Sequence, residues 1–386
     1  MNAAGLPLPM ESPVVSVAMV VCNMQRFVGE SIESILNQSF RDFEFVIVDF
    51  GSTDNSRAII SGYQAKDSRI KLHVIPPCGL SEARNASCFL AQGKYIALMD
   101  ADDVAFPDRL ERQVAFLDQH AEIALLGSAI RCMGASGEAP FVRSFPLTDG
   151  EVRSALERGV VLQQTTVMMR REAFGVVKGY RRAFPLAEDY DLWLRVIEHF
   201  QVANLPEPLV DYRIHPGQIS VKKLRQEVMC WIAARAAAQI RAKGGVDPLW
   251  EIEEITPETL TLLGVTQTAF AQALATAYFD WMNAMLQVRN DDAVLQLVAD
   301  LRELSRSAKI DRFLLSEACL NVAQIQFKRG SYLAGLGSTA RAVCTRPVIA
   351  GRPVKKLLKR AVDVIARRNP GKAAPARVGT AHDGLR

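Results

Sequence analysis

The stretch KYIALMDADDVAFPDRL, residues 94–110, is the part of the sequence that decides the fold. Its apolar run, residues 95–99, leads directly into Asp100, and Asp102 and Asp103 follow closely. A short, uninterrupted apolar run predicts a strand that is buried on both faces. Carboxylates at the exit of such a strand repel one another and resist desolvation, so the pattern predicts a partner that neutralises them.

Three strand–helix units precede this stretch. Strict alternation of strands and helices within 100 residues predicts a mostly parallel α/β sheet with helices on both faces. Ser81 is the predicted N-cap of the third helix. The predicted strands cover residues 14–22, 43–50, 69–76 and 94–100, and the predicted helices cover residues 29–40, 51–64 and 79–92.

The 386 residues exceed a typical single domain, and the character of the sequence changes near residue 221. Downstream of that point the chain becomes helical and rich in Ala, Leu and Gln. A helical pair within residues 316–347 resembles a tetratricopeptide unit, but one pair does not make a repeat array. We predict a disordered leader over 1–12, an α/β domain over 13–221, a helical C-terminal region over 222–368 and a disordered tail over 369–386.

Composition excludes several classes of protein. A net charge of +4 is too small to indicate a nucleic-acid partner. The seven cysteines include no CxxC pair, so a disulfide framework or structural zinc site is not expected and a reducing cytosol fits best. No signal peptide is evident, and the longest apolar runs are about half the length that a membrane-spanning helix needs. We therefore expect a cytoplasmic protein.

Polar residues follow three of the predicted strands, namely Asn23, Asp49 and Asp100. In open α/β sheets ligands bind at the carboxyl ends of the strands. The paired carboxylates of Asp100 and Asp102 suit Mg²⁺ or Mn²⁺, ions that bind diphosphate oxygens. The alternative is that these acids are solvated and cap the following helix, the role that we assign to Asp103.

Two further charged segments allow two interpretations each. Arg84 either contacts a phosphate or base, or forms a surface ion pair with Glu82 or Glu111. The acids of EDYDLWLR, residues 188–195, either raise one another's pKa and so create a base, or complement the helix dipole, the role expected of Asp191. Trp193 lies on the apolar face of this helix, which predicts a core residue.

Several ordered motifs together resemble a family 2 glycosyltransferase of the GT-A fold, over residues 14 to about 220. The GT-A fold is Rossmann-like, with a mostly parallel sheet flanked by helices. The segments that carry the resemblance are VSVAMVVCN (15–23), ESIESILNQSFRDFEFVIVDFGSTDNS (30–56), GLSEARNASCFLAQGKYIALMDADDVAFPDRLERQ (79–113), EDYDLWLR (188–195) and YRIHPGQIS (212–220).

The resemblance implies a nucleotide-diphospho-sugar donor, with uracil as the default base, a Mn²⁺ or Mg²⁺ cofactor, and inversion at the anomeric carbon. It implies a hydroxyl acceptor on a cell-envelope glycan or a lipid-linked glycan. It further implies that Asp189 is the catalytic base, with Glu188 beside it, and that Asp100 and Asp102 hold the metal, with Asp100 also contacting the ribose. For the nucleotide, it implies that Asp49 contacts the base or ribose and that Asn23, Arg84 and Asn85 lie near the nucleotide and diphosphate. Finally, it implies that His215, assisted by Arg213, approaches the diphosphate or metal.

The sequence departs from the family pattern at three places. After the first strand, VVCNMQRF (20–27) replaces the common Pro-Thr-Tyr-Asn but keeps Asn23. Phe50 stands where a small polar residue is usual, and QEVMCW (226–231) lacks the Arg of the QxxRW motif of processive synthases. We therefore expect one sugar to be transferred per acceptor. Two alternatives are a non-catalytic sugar-nucleotide-binding scaffold that uses the helical region, and a nucleotidyltransferase. The loop after the first strand has one Gly, which disfavours a nucleotidyltransferase.

Residues 352–368, RPVKKLLKRAVDVIARR, predict a basic amphipathic helix. Such a helix either packs on the protein with a solvated face or docks on an anionic membrane surface, where a lipid-linked acceptor would lie. The sequence specifies no oligomeric state.

Overall fold

The computed structural model describes residues 12–134, 137, 140–157, 159–214 and 223–349. The predicted leader up to residue 11, His215, the basic helix over 352–368 and the tail lie outside the described residues. The chain divides into two compact units. The first runs to residue 274 and includes 287–289, and the second comprises 275–286 and the residues from 290 onward.

The first unit is built on one sheet, in which nine strands are described. The strands are β1 Val15–Val21, β2 Phe43–Asp49, β3 Ile70–Val74, β4 Tyr95–Asp100, β5 Val104–Ala105, β6 Ile123–Gly134, β7 Phe141–Arg143, β8 Met168–Arg170 and β9 Gln201–Ile214. Their order is β3-β2-β1-β4-β8-β6-β9-β5, with β7 paired to β6. The pairs among β3, β2, β1 and β4 are parallel, as is β6 with β9, whereas β8 runs antiparallel to both of its neighbours.

Helices cover this sheet and carry part of the site. Those described in the first unit are α1 Val28–Leu36, α2 Ser56–Gln64, α3 Leu80–Leu90, α4 Arg109–Gln119, α5 Asp149–Leu156, α6 Arg171–Val176, α7 Glu188–Val196, α8 Leu224–Ala242 and α9 Pro257–Leu262. The α/β fold with a sheet flanked by helices is confirmed, as is the helical region that follows; the sheet is mixed, with β3, β2, β1 and β4 parallel to one another.

Burial explains why the apolar runs become strands. Residues 95–99 of β4 are all buried, as are nearly all residues of β1 and β2. Strands buried on both faces form the centre of a sheet that is covered by helices. The site therefore stands on a rigid base, because the carboxyl ends of the central strands are fixed by core packing.

The predicted N-cap of α3 is wrong. Gly79 is the N-cap, and its backbone N–H donates to the Glu82 carboxylate at 2.8 Å. Ser81 lies inside the first turn, where its hydroxyl donates to the carbonyl of Phe184. Its short side chain therefore ties α3 to the segment before α7 rather than capping its own helix.

The second unit is helical in its described part. Its helices are α10 Gln267–Gln287, which begins in the first unit, α11 Asp291–Ser307, α12 Arg312–Lys328 and α13 Tyr332–Thr345. The predicted helical pair is α12 and α13, joined at residues 329–331, where Gly330 has a φ of +77°. That left-handed conformation favours glycine. Among the described residues, no helix has the length and apolar character to cross a bilayer.

Candidate active site

Strand register places three predicted site residues at one edge of the sheet. Val21 pairs with Asp49, and Val20 pairs with Asp100, so β1, β2 and β4 end at the same level. Asn23 follows two residues after β1. The carboxyl ends of the central strands thus gather Asn23, Asp49 and Asp100 as the alternating pattern predicts.

Asp49 is held by its own loop. One carboxylate oxygen accepts the backbone N–H groups of Gly51 and Ser52, at 3.0 and 2.8 Å. The other accepts Nε of Arg57 at 3.0 Å, and the side chain is fully buried. Burial alone would raise the pKa of Asp49, but the hydrogen bonds from Ser52, Arg57 and Gly51 outweigh it and lower the pKa. Asp49 therefore organises the loop that follows β2.

Asn23 organises the same loop from the other side. It adopts a left-handed backbone with a φ of +56°, which Asn tolerates better than most residues. Its side-chain oxygen accepts the backbone N–H groups of Thr53 and Asp54 at 2.8 and 3.3 Å. The loops after β1 and β2 are therefore one hydrogen-bonded unit.

The acids after β4 form a tight turn. The backbone N–H of Asp103 donates to the carbonyl of Asp100 at 3.3 Å. Asp103 is buried, and its carboxylate accepts the backbone N–H of Arg213 at 2.9 Å. Its predicted capping role is wrong, because the N-cap of α4 is Asp108. Burial and the neighbouring Asp102 and Asp100 charges raise the pKa of Asp103 well above its ordinary value.

Asp100 and Asp102 stay partly exposed while Arg213 fixes the turn from behind. The side chain of Asp100 is 24% exposed. Nε of Arg213 donates to the carbonyl of Asp102 at 2.9 Å, and Nη2 pairs with Glu30 at 2.8 Å. Only 5% of the Arg213 side chain is exposed, so its position is fixed. Arg213 thus lies against the turn, as its predicted assisting role requires.

Arg84 bridges the strand-end acids and helix α7. Its Nη2 lies 3.2 Å from Asp100, and its Nε lies 2.9 Å from Glu188. The alternative partners, Glu82 and Glu111, are wrong. Burial disfavours the charged guanidinium, but Asp100 and Glu188 outweigh it and raise the pKa of Arg84. One cation therefore joins two predicted parts of the site that are about 90 residues apart in sequence.

Helix α7 begins at the site. The residue before it, Ala187, has a φ of +54°, a strained backbone for alanine that redirects the chain into the helix. Glu188 is buried, and burial together with the nearby Asp189 charge raises its pKa to about 7 despite Arg84. Asp189 accepts the backbone N–H of Tyr190 at 2.7 Å, and burial raises its pKa.

The other residues of α7 anchor the helix. Asp191 is fully buried between Arg181 and Arg195, whose charges and hydrogen bonds outweigh the effect of burial and lower its pKa. Asp191 therefore belongs to a buried ion-pair network and does more than complement the helix dipole. Trp193 is confirmed as a core residue, since it is fully buried and donates to the carbonyl of Leu162 at 3.2 Å.

Asn85 fixes the segment before α7. Its amide donates to the carbonyl of Tyr180 and accepts the backbone N–H of the same residue, both at 2.8 Å. Gly179, with a φ of +67°, lies against this amide, and a Cβ there would come within 2.5 Å of it. In this structure Asn85 therefore positions the segment, whereas Arg84 carries the charge.

Sequence analysis missed Glu227. It lies on α8, one turn before Trp231, whose ring stacks on Tyr190 of α7 at 5.5 Å between centroids. Burial, with Asp189 and Glu188 nearby, raises the pKa of Glu227 to about 8. Its Oε2 is buried and has no hydrogen-bond partner in the described part of the chain. The sequence signal was weak: an acid one helical turn before Trp231 in a helix of mixed polarity.

The donor set fits a divalent cation that is shared with a diphosphate. Within the described ranges, no group of three or more His, Cys, Asp or Glu side chains is arranged to enclose a metal. However, Asp100 and Asp102 are neighbouring hard-oxygen donors, and burial and repulsion raise the pKa of Asp100. Mg²⁺ is commonly held by one or two carboxylates plus substrate phosphates, so two protein ligands suffice.

Comparisons with known proteins show which family the chain resembles. The model of glycosyl transferase family 2 matches residues 16–177. EpsE of Bacillus subtilis (strain 168), which carries a glycosyltransferase name, is 39% identical over 211 residues, covering 52% of this chain and 73% of EpsE. The O-antigen biosynthesis glycosyltransferase WbnJ of Escherichia coli is 32% identical, covering 52% of this chain and 80% of WbnJ. The structure of S. aureus TarS residues 1–349 in complex with UDP-GlcNAc aligns with a TM-score of 0.48 at 16% identity, covering 82% of this chain and 92% of that chain.

Proposed function

Because the chain belongs to glycosyl transferase family 2, we propose that it moves one sugar from a nucleotide-diphospho-sugar to an acceptor hydroxyl, with inversion and with Asp189 as general base. The observation that carries this proposal is the Arg84 bridge. It brings Asp100, at the end of β4, and Glu188, at the start of α7, against one guanidinium. This contact supports the proposal, because it would fix the proposed donor-side group relative to the proposed acceptor-side group.

Asp189 is better suited than Glu188 to act as base. Glu188 is buried and paired with Arg84, so its charge is already used. In the part of the chain that the structure describes, no cationic side chain forms an ion pair with Asp189, and its side chain is less buried. A carboxylate within hydrogen-bond reach of an acceptor hydroxyl can take its proton as the oxygen attacks the anomeric carbon. Glu188 then orients Arg84.

Asp100 and Asp102 are the proposed ligands of Mn²⁺ or Mg²⁺. When bound, such an ion offsets the negative charge that grows on the departing nucleoside diphosphate. The protein's own contribution is to hold the two carboxylates in a fixed turn, with Arg213 on the carbonyl of Asp102 and Asp103 on the backbone of Arg213. His215 follows Arg213 by two residues, and we propose that it approaches the diphosphate from there.

The nucleoside is proposed to lie beside the loops after β1 and β2. Asp49 has its oxygens occupied by Gly51, Ser52 and Arg57, so its contribution to base or ribose binding would run largely through the loop that it shapes. Asn23 fixes the same loop. UDP is the proposed nucleotide, and the acceptor is proposed to be a cell-envelope glycan or a lipid-linked glycan, in line with the O-antigen role in the name of WbnJ.

The test is a panel of nucleotide sugars with Mn²⁺, scored by calorimetric binding and by donor hydrolysis or transfer. We expect Asp189→Asn to lower turnover by roughly 100-fold or more, the usual contribution of a general base, while donor affinity stays within about threefold. A matched control is Asp108→Asn, which removes a carboxylate from a surface ion pair with Arg112. If Asp189→Asn loses donor binding as well, Asp189 is a binding residue. If no nucleotide sugar binds, the enzyme proposal fails and the non-catalytic scaffold is favoured.

A further inference from the structure

The helical second unit contains a cavity of about 360 Å³ that is lined by arginines. Its walls come from α11, α12 and α13. The charged lining residues are Arg302, Arg306 and Arg341, and Leu315 and Cys319 form an apolar floor. This volume lies within the range of small-molecule sites. Among the described residues, the lining contains no carboxylate.

The three arginines of this cavity have no carboxylate partner among the described residues. Arg109 also lacks a carboxylate, but its guanidinium donates to Gln113 and to the carbonyl of Leu98. By contrast, five largely buried arginines of the first unit each pair with a carboxylate, namely Arg84, Arg181, Arg195, Arg213 and Arg241.

Arg302 is the one of the three that has a buried donor without an acceptor among the described residues. Its Nε is buried and has no acceptor among the described atoms, and its Nη2 meets only the Sγ of Cys319, at 3.5 Å. A buried N–H of a charged group is costly to leave without a strong acceptor. Sulfur is a weak acceptor, so the guanidinium has unused capacity for an anion.

The hydroxyl groups beside the arginines already donate to backbone carbonyls, so the guanidinium N–H groups are the donors that remain for a ligand. The hydroxyl of Ser305 donates to the carbonyl of Arg302 at 2.6 Å, and that of Thr345 donates to the carbonyl of Arg341 at 2.8 Å. Arg341 itself meets Ser338 Oγ at 3.3 Å through one nitrogen. Arg306 lies in the last turn of α11, where a cation also complements the helix dipole.

We propose that this cavity binds a phosphate or diphosphate group, at a site separate from Asp100 and Asp102. The planar fork of arginine matches phosphate oxygens in pairs, and three such forks around one cavity suit an anion with several oxygens. The phosphate can belong to a soluble molecule or to the headgroup of a phosphorylated lipid. Both sources present the same oxygens to the cavity.

The test is calorimetric titration of the full chain with inorganic pyrophosphate, in EDTA so that no divalent cation contributes. We expect Arg302→Gln and Arg341→Gln each to weaken the site by about tenfold, since hydrogen bonds to charged groups contribute on this scale. Arg312→Gln, at an exposed position of α12 outside the cavity, should leave binding unchanged. Arg341 is also exposed, so its variant tests the site without disturbing the core. Circular dichroism checks that each variant is folded.

A second arm distinguishes the two sources. Vesicles of phosphatidylcholine with phosphatidic acid should bind the wild type and release it with pyrophosphate if the source is a lipid headgroup, and Arg341→Gln should bind them less. If pyrophosphate binds and these vesicles do not, the source is soluble. If pyrophosphate binding is absent, or equal in wild type and both cavity variants, the proposal is overturned.

Discussion

Asp49 at the end of β2 and Asp100 at the end of β4, the strands on either side of β1, show how one sequence signal serves two purposes. Both follow apolar strands at the same edge of the sheet. Asp49 is fully buried, and its oxygens accept two backbone N–H groups and Arg57. Asp100 is partly exposed, pairs with Arg84 and has Asp102 as a like-charged neighbour. A strand-end acid therefore stabilises a loop where the loop supplies donors, and remains available to a ligand where it does not.

The pKa values express the same contrast. Donors around Asp49 lower its pKa, whereas burial and neighbouring charge raise the pKa of Asp100. A carboxylate that the protein stabilises as an anion contributes to folding, whereas one that the protein destabilises as an anion is stabilised further by a bound cation. This contrast would be wrong if substitution of the strand-end acids had the same effects on activity and on stability.

The largest expected effect is a loss of transfer activity when Asp102, a proposed metal ligand, is replaced. Asp102→Asn should lower metal-dependent transfer by roughly 100-fold or more, because a metal contributes several kcal/mol of charge stabilisation. The melting temperature should stay the same or rise slightly, since the change relieves repulsion with Asp100 and Asp103. Turnover with a manganese titration and calorimetric scanning measure the two quantities. A large loss of stability would place Asp102 with Asp49 as a loop-forming residue.

A smaller effect is expected at Asp49. Asp49→Asn should lower the free energy of unfolding by about 2 kcal/mol, because hydrogen bonds to a charged acceptor are lost or weakened. Because the folded pKa is lowered, the contribution of Asp49 is present above the unfolded value of about 3.8 and is lost as pH falls through the folded pKa. Urea unfolding at pH 7 and below pH 4 checks this. If the variant differs equally from the wild type at both pH values, the carboxylate charge is not the cause.

The smallest expected effect has the opposite sign and concerns Glu227. Its folded pKa of about 8 exceeds the ordinary value of 4.5, so the folded state is progressively penalised as pH rises between these values. Glu227→Gln should therefore raise the free energy of unfolding at pH 8, by about 1–2 kcal/mol after allowance for relaxation, and change it little at pH 4.5. Thermal unfolding across this range checks it. The matched control is Glu258→Gln at an exposed position of α9; because a hydrogen bond with Thr256 lowers the pKa of Glu258, this variant should not gain stability at pH 8.

The sequence located the strand-end acids well because their positions follow from local pattern. An apolar run fixes a strand, and the residue after the run stands at its end. The same reasoning failed for Ser81 and Asp103, since a short polar side chain can bond either to its own helix or to a distant backbone group. Ser81 bonds to Phe184 and Asp103 to Arg213, contacts across about 100 residues that no local pattern encodes.

Long-range contacts also determine which of the predicted interactions each charged residue makes. Arg84 had two sequence-near partners, yet its carboxylates are Asp100 and Glu188. Asn85, next to it, faces the backbone of Tyr180 instead. Adjacent residues on a helix point in different directions, so neighbours in sequence serve different elements.

By itself the sequence determined the α/β architecture, the edge of the sheet where polar residues collect, and the family motifs. These follow from hydrophobic periodicity and from short spacings, which are properties of local chain. The hydrogen-bond partners of Asp49, the Arg84 bridge between β4 and α7, and the position of half-buried Glu227 near the proposed base follow only from the tertiary structure. So does the pocket that brings Arg302 and Arg306 of α11 together with Arg341 of α13. Each depends on which donors and charges packing brings within a few ångströms, and such proximity is set by the fold as a whole.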